Sequence, residues 1–196
     1  MKNAGDQRKG AAFIMNYANI KYNDIADGEG IRTSLFVSGC THHCKGCFNE
    51  EAWDFNYGKP FTEETIDQIM AYLEPDYISG ITLLGGEPFE HSNQQGLLPL
   101  LRRFREKYPR EDYDKHHKNV WTFSGYLFDR DIVDDMCSKW DETREMLSYI
   151  DILVDGEFLE EEKSLKLIFK GSANQRTIMV QESLAKKEIV LWQPPC

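Results

Sequence analysis

An α/β fold is predicted for this chain: an open, partial βα barrel on a mostly parallel sheet, in one domain spanning residues 1–196. Three observations predict it. Short β-rich runs alternate with amphipathic helical runs, which implies right-handed β-α-β crossovers feeding a parallel sheet. No repeat, low-complexity tract or Gly/Ser-rich linker divides the chain. At 196 residues it also falls short of the roughly 250 that a closed eight-fold barrel takes. One side is therefore expected to stay open, which suits a macromolecular substrate.

Taken in order, Met1–Gly10 is polar and expected to fray. Residues 13–20 alternate loosely through Phe13, Ile14, Tyr17 and Ile20 and read as a short strand. Asp27-Gly28-Glu29-Gly30 is a turn signal, because both glycines permit positive φ. Residues 31–38 form a continuous β-rich run, that of a buried strand, and deliver a cysteine-rich loop at its C-terminal end. Ligands bind at that end in α/β folds. Thr62 is an N-cap with Glu63 and Glu64 in the first turn, and Ile66, Ile69, Met70 and Leu73 give the helix one apolar face. A strand over 77–84 ends in Gly85-Gly86-Glu87-Pro88. Residues 93–108 read as a helix with Leu97, Leu98, Leu101 and Phe104 inward and a solvated basic face. A strand at 119–123 ends in Ser124-Gly125-Tyr126, one or two helices lie between 129 and 148, and a strand covers about 150–154. The tail ends in Pro194-Pro195-Cys196 and cannot be helical throughout.

The formal charge of −10, with acids scattered along the chain, argues against a nucleic-acid partner, since phosphate binding needs a basic surface. No apolar run is long enough for a membrane span, and the N-terminus lacks a signal-peptide core. Five cysteines, an odd number with three clustered, do not form a secreted disulfide framework. A cytoplasmic protein is expected.

The chemistry is concentrated in Cys40, Cys44 and Cys47, spaced C-x3-C-x2-C. Thiolates are soft ligands that select iron–sulfur clusters, zinc or copper. A zinc ribbon would bring a second pair of ligands, and none follows here. Three cysteines can hold three irons of a [4Fe–4S] cluster and leave the fourth open to a substrate, which is a catalytic arrangement. His42 and His43 lie inside the loop and are read as loop residues, not ligands. Cys137, among Ile132, Val133 and Met136, is read as a small buried hydrophobe, and Cys196 as an incidental terminal thiol.

The three-cysteine loop with Gly85-Gly86-Glu87 downstream resembles the radical S-adenosylmethionine (SAM) superfamily. Most of that superfamily has an aromatic just before the third cysteine, whereas this chain has Gly46 there and Phe48 just after. Gly-Cys-Phe-Asn is instead similar to the activating enzymes of anaerobic ribonucleotide reductase. Four further segments are similar to that family: Asp27–Thr33, Trp121–Tyr126, Tyr149–Phe158 and Phe169–Arg176. The resemblance implies a single radical SAM domain in which Cys40, Cys44 and Cys47 bind a [4Fe–4S] cluster. Gly85, Gly86 and Glu87 would then hold the methionyl amine of SAM, and Gly46, Cys47 and Phe48 would border its adenine. It further implies an external reductant, flavodoxin, and a glycine of the large reductase subunit as the site of the radical. No catalytic acid, base or nucleophile is required beyond cluster and SAM. Ser172, Asn174, Gln175 and Arg176 form a dense hydrogen-bonding group that either caps a loop or faces SAM or the partner. Two other readings stand beside this one: an activase of another glycyl radical enzyme such as pyruvate formate-lyase, and a zinc- or cluster-binding module without catalysis.

Overall fold

The structure, a computed structural model, describes residues 15–194, so Met1–Gly10 and Cys196 lie outside the described residues. The chain runs through β1 (Asn16–Asp24), β2 (Ile31–Val37), β3 (Lys59–Pro60), α1 (Glu63–Tyr72), β4 (Ile78–Gly85), α2 (His91–Lys107), α3 (Tyr113–His116) and β5 (Asn119–Phe123). A π-helical stretch (Phe128–Met136) follows, then α4 (Cys137–Lys139), α5 (Asp141–Tyr149), β6 (Ile152–Asp155), β7 (Arg176–Met179) and α6 (Val180–Lys186).

All seven strands form one open sheet in the order β3-β1-β2-β4-β5-β6-β7. The four central strands β2, β4, β5 and β6 pair in parallel. Their order rises steadily along the chain, so right-handed crossovers all fall on one face. The flanking pairings β1–β2, β1–β3 and β6–β7 are antiparallel. The expected alternation therefore holds in the middle of the sheet, and the sheet does not close. Strands β3 and β7 and helix α6 were not expected. Two- and four-residue strands are too short for an apolar period to register, and their place is set by the neighbours they pair with. The expected helix between 129 and 148 divides into the π-helical stretch, α4 and α5, and its last residues reach Tyr149, leaving β6 to start at Ile152. Among the described residues no helix is long and apolar enough to cross a membrane.

Alternation along each strand sorts the side chains onto two faces. Leu35 and Val37 of β2, Ile81 and Leu83 of β4 and Leu153 of β6 pack with Ile66 and Ile69 of α1, Leu97 and Leu101 of α2, and Met146 and Leu147 of α5 in the main core. Helix α1 begins as the sequence predicts, with Thr62 accepting the Thr65 N–H in a capping box. The half-buried Cys137 lies against this core. The opposite face of the sheet carries Trp121, Phe123, Ile152 and Val154, packed with Phe169 and Trp192.

Arg32 of β2 lies on that second face and is fully buried. Its Nε donates to Thr82 Oγ1 (2.7 Å), Nη1 to Glu29 O (3.0 Å), and Nη2 to Ile81 O (2.8 Å) and Asn119 O (3.1 Å). Its guanidinium also lies 5.5 Å from the Trp121 ring. Burial lowers its pKa to about 9, and these acceptors are what keep a buried cation tolerable. The segment Asp27–Thr33 thus has a physical role: Arg32 ties the turn to β2, β4 and β5.

Candidate cluster and cofactor site

Strand β2 ends at Val37, and the next ten residues carry the three cysteines across the C-terminal edge of the parallel strands. Backbone bonds seat this loop: Gly39 N–H donates to Ala52 O (2.8 Å) and Cys40 N–H to Trp53 O (3.1 Å). Cys47 N–H donates to Cys44 O (3.2 Å), closing a turn in which Gly46 has φ +73°. That left-handed position favours glycine, and a Cβ there would meet the Glu160 carboxyl carbon at 3.0 Å. An aromatic at Gly46 would be strained in this left-handed backbone conformation, which is the physical content of the departure from the superfamily pattern.

Cys40, Cys44 and Cys47 all line one cavity of about 430 Å³. Gly46, Phe48, Gly85, Gly86 and Glu87 line it too, so every residue singled out in the sequence for cluster or cofactor is brought together. The cavity also takes in Ser124 and Gly125 at the end of β5, with Leu84, Phe123, Phe158 and Phe169 as apolar walls. A volume of this order, mostly apolar with a few converging polar groups, is that of a small-molecule site.

The donor set fits a cluster. Burial pushes the Cys40 thiol up to about 12 and raises the Cys44 thiol as well, so positive charge is needed to hold either as thiolate. Thiols set around a cavity suit a cuboidal cluster, in which each thiolate meets a different iron. His42 points away from that role: its Nε2 lies 3.1 Å from Glu87 Oε2. Burial would lower its pKa, but the Glu87 hydrogen bond and charge outweigh burial and raise it. The His43 ring packs at a tilt against Trp53, with centroids 4.7 Å apart.

The Gly85–Glu87 turn is locked to the cysteine loop through the backbone. Gly86 N–H donates to Val37 O (2.7 Å) and Glu87 N–H to Gly39 O (2.8 Å). A Cβ on Gly86 would lie 2.5 Å from Gly39 O and 2.9 Å from Ala52 O, so only glycine allows this approach. Asn93 of α2 secures the junction by donating to Ser38 O (3.0 Å), Gly39 O (3.3 Å) and Glu87 O (2.9 Å). Sequence reading missed Asn93, which looks like an ordinary polar residue in the first turn of a helix. Glu87 itself is turned into the protein and 1 % exposed.

The segment after β6 staples a loop over the cavity. Leu159 N–H donates to Ser172 Oγ (3.1 Å) and Asn174 Nδ2 donates to Glu157 O (2.8 Å). Gln175 Nε2 donates to Gly156 O (2.8 Å), while its Oε1 accepts the Gly171 N–H (2.8 Å). Arg176 pairs with Asp155, which is fully buried, and with Asp129. All four polar residues are engaged in capping this loop, and Gln175 also lines the cavity.

Asp27, at the cavity wall, is half-buried beside the buried Asp24, with Lys21 Nζ 3.8 Å from its Oδ2, and neither Oδ2 has a hydrogen-bond partner. Burial and the neighbouring Asp24 push Asp27 up to about 7. Burial also acts to raise Asp24, but the neighbouring Asp27 and the Ala26 N–H (3.0 Å) outweigh it, and its pKa falls. Asp27 thus keeps its proton well above the usual carboxylate range. Unfolded, Asp27 titrates near about 4, so the stability that its bound proton supplies is present below that and lost as pH rises through about 7. Asp27→Asn should therefore gain stability relative to the parent protein between about pH 5 and about pH 8. Urea midpoints of both proteins at the two pH values check this, and a constant difference would contradict the raised Asp27 pKa.

Residues 26–178 match the family model described as a 4Fe-4S single cluster domain. The chain is similar to the anaerobic ribonucleoside-triphosphate reductase-activating protein of Haemophilus influenzae, 39 % identical over 163 residues, covering 82 % of this chain and 96 % of that protein. It is 37 % identical over 163 residues to the protein of that name from Escherichia coli K12, covering 82 % and 96 %. With that of bacteriophage T4 the identity is 35 % over 162 residues, covering 83 % and 92 %. A match over most of both partners, with three cysteines gathered on one cavity of a 4Fe–4S domain, settles the relationship: the chain belongs to the family of anaerobic ribonucleoside-triphosphate reductase-activating proteins.

Proposed function

We propose that this protein activates anaerobic ribonucleotide reductase by radical SAM chemistry. Cys40, Cys44 and Cys47 hold three irons of a [4Fe–4S] cluster, SAM binds at the fourth, and a glycine of the large reductase subunit receives the radical. The observation that carries this reading is the gathering of three thiols, the Gly85–Glu87 turn and Ser124-Gly125 around one cavity at the C-terminal end of the parallel strands. When bound, cluster and SAM together supply a one-electron source and an agent that abstracts a hydrogen atom.

The chain's own residues bind and orient. The N–H groups of Gly86 and Glu87 are consumed by Val37 O and Gly39 O, and Glu87 O accepts from Asn93 and the Glu90 N–H, so it is the glycine carbonyls of the turn that would meet the methionyl ammonium. The buried Glu87 carboxylate adds negative charge behind that ammonium. Gly46, Cys47 and Phe48 border the adenine, and Leu84, Phe123 and Phe169 keep the nucleoside side of the cavity dry. The exposed Phe48 stands at the rim, 84 % accessible. Flavodoxin is the reductant this reading expects, in the cytoplasm and without oxygen.

The test is anaerobic reconstitution of the cluster, dithionite reduction and incubation with SAM, followed by chromatography. The expected result is 5′-deoxyadenosine and methionine, and, with the reductase added, a glycyl radical by electron paramagnetic resonance. A fully reconstituted, reduced protein that yields no 5′-deoxyadenosine overturns the reading.

A further inference from the structure

A carboxylate as deeply buried as Glu87 needs its lone pairs answered. Four donors surround it. Oε1 accepts from the Phe89 N–H (2.8 Å) and the Ser124 hydroxyl (2.9 Å), and Oε2 accepts from the Gly125 N–H (2.8 Å). Those three belong to the segments that follow β4 and β5. The fourth, His42 Nε2 at 3.1 Å, comes from the cysteine loop. A carboxylate oxygen accepts, so this contact is a hydrogen bond in the tautomer that carries its proton on Nε2.

The imidazole is held where it can do this. It meets the Tyr126 ring edge-on, with centroids 4.3 Å apart. A Cβ on Gly125 would come within 2.6 Å of the ring, so the ring fills the room that Gly125 leaves. His42 also lines two cavities, the one of about 430 Å³ described above and a neighbour of about 490 Å³ walled by Tyr126, Leu127, Met136 and Leu159. With Gly125 and Gly156 it forms the boundary between them, and it supplies the only side chain of that boundary.

We infer that His42 is a positioning residue, which fastens the cysteine loop to the Glu87 carboxylate and partitions the cofactor cavity from the neighbouring one. The consequence for SAM rests on the functional reading above. Removing the imidazole leaves the three thiols in place but takes a donor from Glu87 and joins the two cavities. Iron loading is then kept while the SAM contacts lose their register.

The test uses the full chain with His42→Ala and His42→Gln, glutamine supplying an amide N–H near the position of Nε2. Iron per chain should match the parent protein in both. The SAM concentration needed to shift the resonance spectrum of the reduced cluster should rise about tenfold in His42→Ala, the loss of one hydrogen bond to a charged group, and return to within about threefold in His42→Gln. In apoprotein, hydrogen exchange at the Gly125 and Phe89 amides should quicken about tenfold in His42→Ala and much less in His42→Gln. Parent-like SAM dependence and exchange in His42→Ala would overturn the inference. So would a His42→Gln as impaired as His42→Ala, which would reduce the ring to a space filler, or loss of iron from both variants. If the parent protein shows no SAM-dependent spectral shift, the functional reading fails, and the exchange measurement, which needs no cofactor, still decides the role of His42.

Discussion

Cys40→Ala, Cys44→Ala and Cys47→Ala should each bring SAM cleavage and glycyl radical formation down to background, while Cys137→Ala keeps both. The three thiols stand around one cavity, which among the described residues no other cysteine lines. Two thiolates leave a second iron without a protein ligand, and the cluster is then shed instead of held open at one corner. Cys137 faces the helical core on the other side of the sheet, so its loss removes only a small apolar contact. Iron content, visible absorption of the reconstituted protein and the yield of 5′-deoxyadenosine measure the effect. Full activity in any of the first three variants would sink the cluster assignment.

Asp155→Ala should destabilise the apoprotein by about 3 kcal/mol, the lower end for breaking a buried ion pair, because Arg176 keeps some solvent contact. Asp155 is fully buried at the end of β6, where its carboxylate accepts the Phe128 N–H (2.7 Å) and two Arg176 donors. Alanine would leave that amide unanswered and an arginine with only Asp129 beside it. The same carboxylate joins the π-helical stretch to β7, at the root of the loop over the cavity. Stability and cofactor retention should therefore fall together. Asp155→Asn keeps an acceptor for Phe128 and should lose about half as much. Urea unfolding of the apoproteins reads both. A loss below about 1 kcal/mol for Asp155→Ala would mean that the loop is held by its own hydrogen bonds alone.

The parallel centre of the sheet was legible because β2, β4 and β5 are long, apolar and followed by glycine, and because α1 and α2 carry clear helical periods. Edge pairing was not legible. Strand β3 is the two residues Lys59 and Pro60, and β7 begins inside a segment whose polar residues drew attention to chemistry instead of to pairing. The cysteines, the Gly85–Glu87 turn and the Ser124-Gly125 strand end were all visible as spacing and composition. What they touch was not, because Glu87 with His42, or Gly86 with Gly39, join positions separated by 45 or 47 residues.

By itself, then, the sequence determined the α/β class, the close spacing of Cys40, Cys44 and Cys47, and the family. Those properties depend on residue type and on spacings of a few residues, which the covalent chain fixes. Only the tertiary structure decided that Glu87 is surrounded by four protein donors, that His42 separates two cavities, and that Ser172, Asn174, Gln175 and Arg176 cap a loop. A buried polar atom must find its partner wherever folding brings a donor or acceptor, and sequence distance carries no information about that encounter.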